Sequence, residues 1–237
     1  MDLEQKIKSY QPTDDAVALV RNTKIVLLVG ITGAGKDTLK WQLLQKPEFR
    51  DIVSHTTRLP RTNNGKPEVP DKDYHFIDLA TAEKMVDAHE FIEVKYVHGG
   101  TVYGTSVNEV KESQANGKIA LTDIDVQGVD EYKILSPDTV AIFILPPSFE
   151  VWRERLAKRY GSEAELEAEW PARSASAIAE LTHALEVPYY HFIINDELAR
   201  TVRVATEIAM QPDLFNRKDD EARLAARDLL AEIKNRL

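Results

Sequence analysis

Residues 24–38 constrain the fold more than any other stretch. Lys24-Ile-Val-Leu-Leu-Val29 is an apolar run closed by glycine, the pattern of a strand buried on both faces of a parallel sheet. Gly30-Ile-Thr-Gly-Ala-Gly-Lys-Asp-Thr38 follows, and helix-forming residues continue through Gln45. Strand, glycine-rich turn and helix in that order make a loop that binds phosphate. The glycines let the backbone turn tightly and aim successive N–H groups inward. The helix start adds partial positive charge, and Lys36 adds a full one. Gly30, Thr32, Gly33, Ala34, Gly35, Lys36, Asp37 and Thr38 are the expected nucleotide ligands. The strict pattern has Ser or Thr directly after the lysine to hold Mg²⁺. Here Asp37 occupies that place and Thr38 comes next. Mg²⁺ takes carboxylate, hydroxyl and water oxygens, so the spacing leaves both residues open as ligands.

The rest of the chain alternates in the same way. Further buried strands are expected at residues 118–124, 139–145 and 191–195, and helices at 149–159, 173–185 and 199–210. Strands alternating with helices imply an α/β fold: a phosphate-loop (P-loop NTPase) core with a parallel sheet flanked by helices. Residues 51–110 differ, with short apolar runs broken by Pro, Gly and Asn. They read as a mixed, mostly β insertion. Residues 1–23 form an N-terminal extension in which Thr13 is placed to cap a short helix. The tail is an amphipathic helix with apolar points at Leu224, Leu229, Ile233 and Leu237. The acidic cluster Glu163–Glu169 reads as a solvated helix face.

Composition removes several function classes. With no cysteine, disulfides and thiolate-held metals are excluded. The six histidines show no metal-ligand spacing and are read as structural. A net charge of −9 argues against nucleic acid as a partner. No apolar stretch is long enough to span a bilayer, so no membrane partner is expected. The first ten residues lack the apolar core of a secretory signal, and a cytoplasmic location is expected.

A phosphate loop leaves the acceptor unnamed. Ser54-His-Thr-Thr-Arg-Leu-Pro-Arg61 sets two arginines around a proline, and guanidinium forks suit phosphate oxygens. Asp73-Tyr-His-Phe76, Phe91-Ile-Glu93, Tyr103-Gly-Thr-Ser106, Asp123-Ile-Asp-Val-Gln-Gly128 and Ile193-Ile-Asn-Asp196 follow. Asp123 and Asp125 alternate and so share one face of a strand end. With the phosphate loop, these strings in this order resemble the guanylate kinases across residues 24–210.

The resemblance implies Mg²⁺-dependent transfer of the ATP γ-phosphate to GMP, with dGMP as a second acceptor. It implies an acceptor-binding insertion at about 54–108, a short lid at about 159–173 and a C-terminal helical extension at 211–237. Arg58, Arg61, Tyr74 and Tyr103 would clasp the GMP phosphate. Glu93 would accept from the guanine N1–H and amino group, with Ser54 and Thr105 near the base. A carboxylate reading that edge would reject adenine by leaving buried groups unpaired. Asp123 and Asp125 would serve the metal, its water or the guanine amino group. Lys36, Arg58, Arg159 and Arg173 would carry catalysis by positioning and charge. Asn195 would lie near the adenine of ATP.

The chain departs from the family pattern at three places. Asp37 resembles the Lys-Asp-Ser of ribose 1,5-bisphosphate kinases, which makes that sugar bisphosphate the second candidate acceptor. Residues 61–74 form a longer loop than the family's, and the lid carries Trp170-Pro171 in place of a Thr- and Glu-rich string. A non-catalytic scaffold of the same fold is the third reading, and the intact Lys36 and loop glycines oppose it. The oligomeric state stays open, a homodimer included.

Overall fold

The computed structural model describes residues 2–63, 66–97, 99–214 and 219–236. His98 and Leu237, assigned above as a structural histidine and a tail apolar point, lie outside the described residues. In chain order the first elements are α1 (Leu3–Lys8), α2 (Asp14–Arg21), β1 (Ile25–Val29), α3 (Lys36–Leu43), β2 (Phe49–Asp51) and β3 (His55–Thr56). The short strands β4 (Thr62–Asn63), β5 (Lys66–Pro67) and β6 (His75–Phe76) precede α4 (Leu79–Asp87), β7 (Phe91–Val97), β8 (Thr101–Ser106) and α5 (Val107–Ala115). Then come β9 (Ile119–Asp123), α6 (Val126–Leu135), β10 (Val140–Leu145), α7 (Phe149–Tyr160), α8 (Glu163–Glu186), β11 (Tyr190–Ile194), α9 (Leu198–Met210) and α10 (Asp219–Asn235).

The chain divides into two compact units. The first comprises Met1–Ile25, Glu48–Thr122 and Glu131–Thr139; the second comprises Val26–Pro47, Asp123–Asp130 and Val140–Leu237.

In the second unit β1, β10 and β11 run parallel, with Leu27 opposite Ala141 and Phe143 opposite Phe192. Their side chains are almost all buried, which explains the unbroken apolar runs in the sequence. Helices α9 and α10 pack on these strands, and α10 also packs on α7 and α8. Ala226 and Ile233 of α10 are fully buried and Leu229 nearly so. Leu224, expected on that apolar stripe, is 55% exposed, because the buried face runs through Ala222, Ala226, Leu229 and Ile233.

In the first unit β2 pairs parallel with β9, and a four-stranded sheet runs β6-β3-β8-β7. Its β3–β8 and β7–β8 pairs are antiparallel and its β3–β6 pair is parallel, so the insertion is mixed, as expected. The first unit also holds α4 and α5, two helices that sequence reading passed over. Asp78 caps α4 by accepting from the Thr81 N–H at 2.7 Å, and Ser106 caps α5 by accepting from Glu109 N–H at 3.4 Å. The N-terminal extension belongs to this unit. Thr13 caps α2 as expected, while α1 packs on β7 and α4, joining Ile7 to a core of Ala82, Val86, Phe91 and Val102.

Candidate active site

The phosphate loop lies in the second unit, between β1 and α3. Gly30 has φ of 144°, and a Cβ there would collide with the Ile144 carbonyl of β10. Gly35 has φ of 98°, and a Cβ there would meet the Asn195 amide. Only glycine fits both places.

Two side chains of α7 and one that follows β11 tie the loop's carbonyls. Trp152 of α7 donates its indole N–H to Thr32 O at 2.7 Å. Asn195 donates its amide to Ala34 O at 2.8 Å, and Arg155 reaches the same carbonyl at 3.1 Å. A second Arg155 nitrogen donates to Asn195 O at 2.9 Å. Asn195, expected beside adenine, is a buried latch on the phosphate loop.

Lys36 opens α3 and curls back to the Gly30 carbonyl. Burial lowers its pKa, while Glu180, Asp123 and Asp37 oppose that shift and Arg159 adds to it. Arg159 therefore lies within electrostatic reach of Lys36. Arg173 belongs to the same charge cluster through Glu180, whose pKa burial raises and Lys36 and Arg173 lower. Arg173 also donates to Glu169 at 3.3 Å. The expected lid stretch is helical: α7 reaches Tyr160 and α8 starts at Glu163.

Asp123 accepts from Lys40 at 3.0 Å. Asp125 accepts from the Gly128 N–H at 2.7 Å, at the start of α6. Asp37 and Thr38 are exposed on the first turn of α3. Among the described residues no three His, Asp or Glu converge on one point. Asp37 and Thr38 carry the carboxylate and hydroxyl oxygens that suit Mg²⁺, which takes such donors beside water and phosphate oxygens.

The acceptor residues gather in the first unit. Register places Glu93 opposite Thr105 and Lys95 opposite Tyr103, so alternation puts all four on one face of the β7–β8 ribbon. Thr105 is buried and Glu93 half-buried. Both lie beside the fully buried Tyr132 hydroxyl, whose pKa is raised by desolvation first and by the Glu93 charge second.

Arg58 Nε donates to the Tyr103 hydroxyl at 3.0 Å, and its guanidinium lies 4.7 Å from the Tyr74 ring centroid. The structure thus brings Arg58, Tyr74 and Tyr103 together. Arg61 is exposed and joins them through its backbone N–H, which donates to Glu68 at 2.8 Å. Ser54 enters through its carbonyl, which accepts from His75 N–H at 2.9 Å.

A family model described as guanylate kinase matches residues 22–211. The chain belongs to the guanylate kinase family. A guanylate kinase from Geobacter sulfurreducens is 37% identical over 77% of this chain and 85% of its own length. One from Maricaulis maris is 37% identical over 79% of this chain and 83% of its own. Among solved structures, guanylate kinase from Anaplasma phagocytophilum matches with a TM-score of 0.59 and 27% identity, covering 80% of this chain and 86% of that one.

Three residues at these candidate sites escaped the sequence reading. Arg155 precedes Arg159 by one helical turn, a spacing that marks a shared face. Glu180 follows Arg173 by two turns on the same face of α8. Glu68 is one of three acids, with Asp71 and Asp73, in the long loop between Arg61 and Tyr74, and nothing local in the sequence sets it apart from the other two.

Proposed function

We propose that the chain transfers the γ-phosphoryl group of ATP to GMP. An oxygen of the GMP phosphate attacks Pγ, the bond from Pγ to the β,γ-bridging oxygen breaks, and ADP leaves. GDP is the second product. The observation that carries this reading is the β7–β8 face, where the Glu93–Thr105 pair stands on the same side as Tyr103 and its Arg58 partner. A carboxylate there reads a guanine edge and a guanidinium–phenol pair reads a phosphate, so one face matches both ends of one mononucleotide. Ribose 1,5-bisphosphate would leave Glu93 with no base to bind.

In this reading the phosphate-loop amides, the start of α3 and Lys36 hold the β- and γ-phosphates of ATP. Arg159 and Arg173 offset charge on the transferring group. Mg²⁺, held by Thr38 or Asp37 with Asp123 nearby, supplies further neutralisation of the phosphate oxygens. Tight tying of the loop by Trp152, Arg155 and Asn195 prepays its ordering. ATP, GMP and Mg²⁺ in the cytoplasm are the proposed partners. The test is ³¹P NMR of a mixture of protein, Mg²⁺-ATP and GMP. Equal growth of ADP and GDP supports transfer; ADP with free phosphate and no GDP rejects it.

A further inference from the structure

The phosphate clasp contains an acid that lies between the strings Ser54–Arg61 and Asp73–Phe76. Glu68 receives both ends of the Arg58 fork, Nη1 at 2.5 Å and Nη2 at 2.8 Å. Its Oε2 also accepts the Arg61 backbone N–H at 2.8 Å. Both side chains of the Arg58–Glu68 pair are only 10% exposed, so water screens them poorly. The pairing pushes the Arg58 pKa up and the Glu68 pKa down, each chiefly through their mutual hydrogen bonds.

We propose that Glu68 is a positioning residue for the acceptor phosphate, acting through Arg58 and Arg61. A guanidinium has five N–H donors in a rigid planar fork. Glu68 takes the far end of that fork, and Leu59 O accepts from Nη1 at 3.0 Å. Tyr74 and Phe76 pack against the guanidinium from one side, with ring centroids 4.7 and 5.7 Å from its carbon and 5.9 Å from each other. The Nε edge then points to the Tyr103 hydroxyl at 3.0 Å, on the strand face that carries Thr105 and Glu93. Glu68, Leu59 O and Tyr103 take four of the five N–H donors, so Arg58 offers phosphate its remaining Nη2 donor and its charge, next to a phenol. The same carboxylate fixes the backbone at Arg61, so one residue sets the spacing of both arginines. A flexible arginine would lose several rotamers on binding phosphate; a held one loses few.

The proposal rests on the reading of Arg58 as a GMP-phosphate ligand, and the test separates the two. Glu68→Gln keeps the size and removes the charge. Steady-state kinetics with each substrate varied are combined with calorimetric titration of GMP and of guanosine, which has the base and no phosphate. For Glu68→Gln, the KM and Kd for GMP should rise tenfold or more. Guanosine affinity and the KM for ATP should stay within twofold. Glu68→Asp, with the charge kept and the reach shortened, should fall between.

On an Arg58→Lys background, Glu68→Gln should add less than twofold, since the route through Arg58 is gone and the Gln carbonyl still accepts the Arg61 N–H. Equal weakening of GMP and guanosine would reduce Glu68 to a folding contact and overturn the proposal. Tighter GMP binding would also overturn it, because Glu68 would then be a phosphate stand-in that GMP must displace. An Arg58→Lys protein with unchanged GMP binding would instead remove the phosphate-clasp reading beneath it.

Discussion

Charge placement decides the chemistry at the level of single residues. Lys36 is held at the loop by the Gly30 carbonyl and faces Glu180, Asp123 and Asp37. Its methylene stem is replaceable, and its charge is not. Lys36→Met should lower kcat by about 10²–10³, the usual loss for one electrostatic contact in a transition state, with GMP binding by calorimetry unchanged. Arg155 acts at one remove, through two carbonyls of the loop and its latch. Arg155→Met should raise the KM for ATP roughly tenfold, the value of one charged hydrogen bond, and leave the KM for GMP within twofold. Glu93→Gln replaces an acceptor with a mixed donor–acceptor at the expected guanine edge. It should lower kcat/KM for GMP by about 10–10²-fold and narrow the gap between GMP and AMP.

Local pattern and tertiary packing contribute differently to each element. The stretch from β1 to α3 was legible because its signals are local: an apolar run, glycines at fixed places, and a lysine. Helices α4 and α5 were not, although Asp78 and Ser106 are ordinary caps; both caps lie in or beside strings read for their motifs. The continuity of α8 was hidden for another reason. Trp170-Pro171 reads as a break, since proline inside a helix costs roughly 3 kcal/mol. The helix runs through because Trp170 is 8% exposed and packs 5.3 Å from Trp152 and 5.8 Å from Phe149. Aromatic pairs of this kind add about 0.5–1.5 kcal/mol each beyond area burial. Arg153 lies 4.7 Å over the same indole while bonding Glu163 and Glu167, so the acidic cluster is partly paired rather than wholly solvated.

Strand β3 supplies a pH prediction at the same scale. Burial, then the neighbouring His75, pushes the His55 pKa down to about 4, and its Nδ1 has no hydrogen-bond partner among the described residues. The folded state binds fewer protons there than the unfolded chain does. Stability should be full above about pH 6.5 and decline as pH falls toward 4. Urea melts of the wild type and His55→Asn should diverge across that window, with the variant showing the flatter profile.

At the scale of the molecule, both terminal extensions are structural parts of the units they join. The sequence marked them as extra and left their role open, because covering a core and forming an interface call for the same amphipathic pattern. Tyr10 both donates to Phe91 O at 2.6 Å and accepts from Phe91 N–H at 3.0 Å, two residues before Glu93. At the other end Arg223 donates to Leu185 O at 3.2 Å and Val187 O at 3.3 Å, where α8 ends, and lies 4.9 Å over Phe192. Ile233→Ala should cost about 2–5 kcal/mol and lower Tm by roughly 5–15 °C in a chain of this size, read by calorimetry.

The acceptor residues were legible as short strings whose order carried the resemblance; Glu68 and Arg155 were not, because each works through a partner distant from its own motif. The most direct test of GMP as acceptor is ADP formation from Mg²⁺-ATP across GMP, dGMP, AMP, UMP, CMP and ribose 1,5-bisphosphate. Rapid turnover with GMP, or with GMP and dGMP, and background rates with the rest is the expected result. Turnover with ribose 1,5-bisphosphate and none with GMP would contradict it, and would make Asp37 rather than Glu93 the residue that names the substrate.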